Sequence, residues 1–316
     1  MKKVVFTLLT AMFSLVATAQ ESQTAYNFLR LPTSAHAAAL GGENVTLVED
    51  DPSLVFSNPA LLSSVSDKSI GFNYMNYMSG ANVFSATFNR VVKEKLSWAA
   101  SAQFINYGSM RETTENNEQT GEFSAKDIAV NGHLSYMLSD KIAGGITAKF
   151  ITSYIGNYNS LAVGVDLGLN YFDPEHNLSV SAVAKNLGGQ LKAYDEEFEK
   201  MPLDIQVGVS KQFAAAPFRI HATLADLNHW GYKFFNHLVL GADIILGGNI
   251  WVGGGYNFRR ANEMSILATG EEKGSSHGAG LSFGGGINLE RFKLNVAYGK
   301  YHVSSSSIVV SAAYSL

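Results

Sequence analysis

The chain has 316 residues, a net charge of −4 and no cysteine. The charge balance and the lack of any Lys/Arg block exclude nucleic acid as a partner, and the missing thiols exclude disulfide stapling and a cysteine-borne lipid anchor. Charged residues make up only 16% of the chain, against the usual ~25%.

The first segment reads as an export signal. Met1-Lys2-Lys3 is cationic, residues 4–16 are mainly apolar, and Ala17-Thr18-Ala19 offers a small-residue cleavage site. The apolar part is shorter than the ~20 residues a spanning helix needs. Residues 1–19 are therefore expected to be a signal peptide, and no later run is long and apolar enough for a membrane helix. Export with low charge fits either a soluble periplasmic β-protein or a membrane barrel, and the strand pattern decides between them.

Residues 20–66 differ from everything after them. Small residues, Pro32, Asp51-Pro52 and Asn58-Pro59 suit short helical turns. Leu29, Leu31, Leu40, Phe56, Leu61 and Leu62 all need burial. The segment is expected to be a compact plug inside the mouth of the domain that follows. Asp50-Asp51, followed by Pro52-Ser53, reads as a turn and helix cap rather than a carboxylate pair for chemistry.

From residue 67 to 316 one theme repeats. Leu161, Val163, Val165, Leu167, Leu169 and Tyr171 alternate with Ala162, Gly164, Asp166, Gly168, Asn170 and Phe172. A strand sends successive side chains to opposite faces, so one face is apolar and the other mostly small or polar. Ile205, Val207 and Val209 repeat the pattern, as do Leu294, Val296 and Tyr298. Runs of ten or more residues, aromatics at their ends, and a second face of Gly, Ala, Ser and Asn with isolated charges (Lys149, Asp166, Asp243) favour a membrane barrel over a sandwich. The fold class is all-β, a transmembrane antiparallel barrel of about fourteen strands. The polar stretches 110–122, 192–201, 228–235 and 260–275 are expected as extracellular loops.

Catalytic motifs do not survive inspection. Gly280-Leu281-Ser282-Phe283-Gly284 matches a serine-hydrolase string, but it sits in a Gly-rich alternating run with no helix after it. The eight histidines form no metal-binding spacing. Gly253–Gly255 and Gly284–Gly286 lack the strand-to-helix setting of a phosphate loop and suit close approach of the plug. No catalytic, cofactor-binding or metal residues are assigned, and no cofactor is expected.

Phe28-Leu29-Arg30-Leu31-Pro32-Thr33-Ser34-Ala35-His36-Ala37-Ala38-Ala39-Leu40-Gly41-Gly42, followed by Asp51-Pro52 and Asn58-Pro59-Ala60-Leu61-Leu62, resembles the N-terminal signature of the PorV/PorQ family. These are outer-membrane barrels of the type IX secretion system of Bacteroidota, and modest length and short loops resemble the PorQ branch. The resemblance implies fatty-acid-transporter-like architecture and an outer-membrane location. It also implies a scaffolding role: holding a PorZ-like surface protein and joining PorU and PorV in the complex that attaches secreted cargo. The signature residues Leu31, Pro32, Ser34, Ala35, Leu40, Gly41, Gly42, Asn58, Pro59, Ala60, Leu61 and Leu62 carry it. The alternative is an outer-membrane transporter of hydrophobic compounds such as long-chain fatty acids. That alternative requires an apolar cavity between plug and wall, opening at a kinked strand.

Overall fold

The computed structural model describes residues 24–116, 118–213, 216–264, 276–302 and 305–316. The expected signal peptide and most of the 260–275 loop lie outside the described residues. Fourteen strands form one closed barrel. They are β1 (Ser69–Asn76), β2 (Asn82–Val92), β3 (Leu96–Thr113), β4 (Gln119–Ser139), β5 (Ile142–Ile155), β6 (Tyr158–Asp173) and β7 (Leu178–Lys192). The second half is β8 (Asp204–Gln212), β9 (Phe218–Leu224), β10 (Leu238–Leu246), β11 (Ile250–Asn257), β12 (Leu281–Asn288), β13 (Phe292–His302) and β14 (Ser305–Ser315). Every neighbouring pair is antiparallel, and β1 closes the ring against β14, with Ser69 opposite Ser315 and Asn76 opposite Ile308. Closure leaves no sheet edge, the condition for strands to cross a bilayer.

The alternation read along β6 is physical. Val163, Leu167, Leu169 and Tyr171 point outward and are exposed, while Ala162, Asp166 and Asn170 are buried in the lumen. Ile205, Val207 and Val209 of β8 and Leu294 and Val296 of β13 likewise face out. An apolar exterior around a closed barrel is the surface that hydrocarbon solvates and water does not.

Strand ends departed from expectation in one place. Residues 110–122, expected as a loop, instead carry the ladder on: Ser109 pairs with Ser124 and Thr113 with Gln119, so β3 and β4 continue as a protruding hairpin. There both faces are wet. Arg111, Glu112 and Glu122 remove the apolar alternation while leaving the backbone ladder intact. A bulge at Asn106–Ser109 marks the transition.

Connections following even-numbered strands contain two to five residues, whereas 193–203, 225–237 and 258–280 at the opposite end are longer. Longer loops mark the extracellular end of such barrels. The segment before β1 folds back inside. Its turns Asn27–Arg30, Ala35–Ala39, Pro52–Phe56 and Pro59–Ser64 lie within the wall, and residues 32–47 are buried without a break. This is the plug.

Candidate functional site

Two Asx caps shape the plug locally. The Asp51 carboxylate accepts from Ser53 N at 2.9 Å at the start of Pro52–Phe56, and Asn58 Oδ1 accepts from Ala60 N at 3.0 Å at the start of Pro59–Ser64. Proline at the first helical position fits both, because its missing N–H would have no partner there. Asp51 thus caps, as its sequence context implied. Burial pushes its carboxyl above the ordinary range, opposed by the Ser53 and Ser34 hydrogen bonds.

The signature residues fall into two groups seated on different parts of the wall. Ser34, Ala35, Leu40, Gly41 and Gly42 lie toward β10–β14: Ala35 N donates to Ser311 Oγ at 2.8 Å, and Gly41 N to Ser282 Oγ at 2.9 Å. Ser282 Oγ in turn donates to Ala39 O at 2.7 Å. The serine of the hydrolase-like string is therefore a plug anchor. Gly41 and Gly42 have φ of 99° and 91°, a backbone that other residues rarely adopt. Asn58, Pro59, Ala60, Leu61 and Leu62 lie against β3–β6, where Ser135 Oγ donates to Ala60 O at 3.2 Å. Leu31 is half-buried and, with Pro32, lines an inner cavity.

Between plug and wall lies a charged cluster that no sequence pattern assembles. His36 Nδ1 is 2.9 Å from Glu49 Oε2, and its Nε2 is 2.8 Å from Asp243 Oδ2 on β10. Both ring nitrogens face carboxylates, so both carry protons and the ring is cationic. Arg219 of β9 donates to Glu49 and Asp243, each at 2.5 Å. His221 Nε2 lies 3.5 Å from Asp243 Oδ1. The indole of Trp251 on β11 stacks on His36, with centroids 3.5 Å apart and planes 8° from parallel. Its Nε1 donates to Asn295 Oδ1 at 2.8 Å.

These groups set one another's ionisation. Burial opposes charge on His36, but Glu49 and the Asp243 hydrogen bond outweigh it, and the imidazole titrates above its ordinary value. Burial would also raise Glu49, yet His36 and Arg219 hold it at about 2. His36, Glu49 and Asp243 offer ligand atoms within 4.8 Å of one another. The Arg219 guanidinium already occupies the position of the cation, and a metal would have to displace it. The arrangement is a plug lock.

A cavity of about 20 Å³ inside the lumen is lined by Arg30, Gln103, Asn131, His133, Lys149 and Asp166, among others. That is room for about one water. Lys149 and Asp166 pair there at 2.7 Å. Toward the extracellular end the lumen widens into an open vestibule of about 660 Å³.

No protein-family model and no curated protein matches the chain. Solved structures do match in fold. The toluene transporter TodX of Pseudomonas putida shares 14% identity with a TM-score of 0.59, over 90% of this chain and 98% of that one. A Pseudomonas aeruginosa FadL homologue shares 12% at 0.56, over 90% and 99%. The CymD monoaromatic hydrocarbon channel shares 14% at 0.57, over 90% and 97%. The chain has their fold, and its closed wall and apolar girdle make it an outer-membrane barrel.

Proposed function

We propose that this barrel is a binding scaffold of the PorV/PorQ kind, holding a PorZ-like surface protein and, with PorU and PorV, serving attachment of secreted cargo. The observation that carries this reading is the filled lumen. Residues 32–47 are continuously buried, ionic and hydrogen-bonded contacts tie them to the wall, and the inner cavity is polar and water-sized. A filled interior suits a rigid support for loops. Trp230, Phe234 and Phe235 stand exposed on the 225–237 connection at the outer end, where a protein partner would be met. The name of the partner rests on the resemblance of the plug residues.

Transport of hydrophobic compounds is the second reading, and the comparisons favour it over the first. The fold neighbours include a toluene transporter and a monoaromatic hydrocarbon channel. The lumen chemistry weighs the other way, because an apolar solute would have to displace buried ion pairs. On either reading the chain binds and does not catalyse.

One paired experiment separates the two. In a deletion strain, cargo retained at the cell surface and uptake of labelled oleate and toluene are measured together. Lost attachment with normal uptake supports the scaffold. Normal attachment with lost uptake establishes the transporter and removes the scaffold.

A further inference from the structure

The vestibule contains three arginines in unlike situations. Arg30 donates to Asp226 Oδ1 at 2.7 Å. Arg259 pairs with the same carboxylate and lies 3.7 Å from Glu263. Glu43, on the plug, accepts from Gln206 Nε2 at 2.8 Å. Arg260 has no carboxylate partner among the described residues. Its guanidinium carbon sits 3.9 Å from the ring centroid of Tyr301, and its Nη1 is buried with no conventional hydrogen-bond partner among the described residues. Tyr301 is only 5% exposed, and its hydroxyl, beside the Arg260 guanidinium, meets no other polar partner among the described residues. Both side chains line the vestibule, together with Leu31, Tyr77, Met78 and Asn257.

A tyrosine face attracts a guanidinium but supplies no counter-charge. Glu43 lines the same vestibule and supplies negative charge at a distance, but it bonds to Gln206 and forms no ion pair with the guanidinium, whose fork stays open to an anion. The planar guanidinium fork matches a carboxylate or a phosphate, and the Tyr301 hydroxyl adds a donor beside it. Tyr77, whose ring meets that of Tyr301 edge-on at 6.0 Å, combines with Leu31 and Met78 into a wall suited to a flat apolar body.

We propose that the vestibule binds a small organic oxyanion, a carboxylate or phosphate monoester on a flat apolar body, with Arg260 and Tyr301 holding the charged end. Arg30 and Arg259 stay committed to Asp226 and fix the floor. The assignment is independent of which partner the loops hold or what the barrel conducts.

The test uses the full-length barrel in non-ionic detergent, titrated calorimetrically with benzoate, phenyl phosphate and neutral benzyl alcohol. At least one of the two anions should bind saturably and weaken as salt is raised, with benzyl alcohol weaker by about tenfold or more. Which anion binds tells carboxylate from phosphate. Arg260→Gln should cost the anion about tenfold or more in affinity, and Arg260→Lys less. Tyr301→Phe should cost about threefold to tenfold. Heat-modifiable migration confirms that each variant is assembled. If Arg260→Gln fails to assemble, Tyr301→Phe and the salt series decide. No saturable binding of either anion, equal binding of benzyl alcohol, or unchanged affinity in assembled Arg260→Gln overturns the proposal.

Discussion

The plug is seated in two different ways on opposite parts of one wall. Toward β9–β14 the turn Ala35–Ala39 is held by charge, through His36, Glu49, Arg219 and Asp243, as well as by the close approach of Leu40 to Gly255 and of Ala39 to Gly284. Toward β3–β6 the turn Pro59–Ser64 is held by closeness. Gly145 and Gly168 let Pro59 and Asn58 approach the wall, and a methyl on Gly145 would overlap the backbone of Pro59 and Ala60. The glycine seat excludes alternatives by shape. The charged seat excludes them by the cost of leaving a buried ion without its partner. The two therefore differ in one response: the charged seat answers to pH and partner loss, whereas added volume disturbs both.

Asp243→Ala tests the charged seat most severely. It removes one carboxylate partner from both His36 and Arg219 and should cost about 3–5 kcal/mol. The readout is the temperature at which heat-modifiable migration is lost. An unchanged temperature would mean that the lock contributes no stability.

Gly145→Ala attacks the other seat and should cost about 1–3 kcal/mol by overpacking. The loss should be the same at every pH and salt concentration. If it varies with pH, the two seats are coupled rather than separate.

The pH profile of wild-type stability sharpens the contrast. The Glu49 carboxyl is depressed, so its contribution is present above the ordinary value of 4.5 and is lost as pH falls through about 2. The His36 imidazole is elevated, so its contribution is full below 6.5 and is lost as pH rises through its raised value. The charged seat is strongest between those limits. His36→Gln should flatten the alkaline limb measured by thermal melts, while Gly145→Ala should keep it.

The smallest stability effect is expected from the connection between β11 and β12. Shortening 265–275 while sparing the turn Phe258–Glu263 should change stability by less than about 0.5 kcal/mol. On the scaffold reading it should impair capture of the surface partner, measured by affinity purification from membranes. Retained capture would move the partner surface to another loop, such as 225–237.

The barrel was legible because its signal is local and repeated. Each strand carries its own two-residue period, so β6, β8 and β13 could be placed from their own residues. The 110–122 hairpin was missed because period two vanishes where both faces are wet. The segment before β1 was legible through its Pro, Gly and Asx punctuation and through leucines that require burial. The lock was not. His36, Asp243 and Arg219 are isolated in sequence, and a lone histidine in an Ala-rich stretch gives no hint of its partners.

By itself the sequence determined a closed, outward-apolar barrel and a compact segment to be buried within it, because periodicity and turn chemistry act between near neighbours. Only the tertiary structure decided which charges meet. His36 and Asp243 stand 207 positions apart, and only closure of the wall around the plug brings them to hydrogen-bonding distance. The same closure set Arg260 over Tyr301 without a carboxylate paired to it among the described residues, a juxtaposition that depends on the seat of the plug.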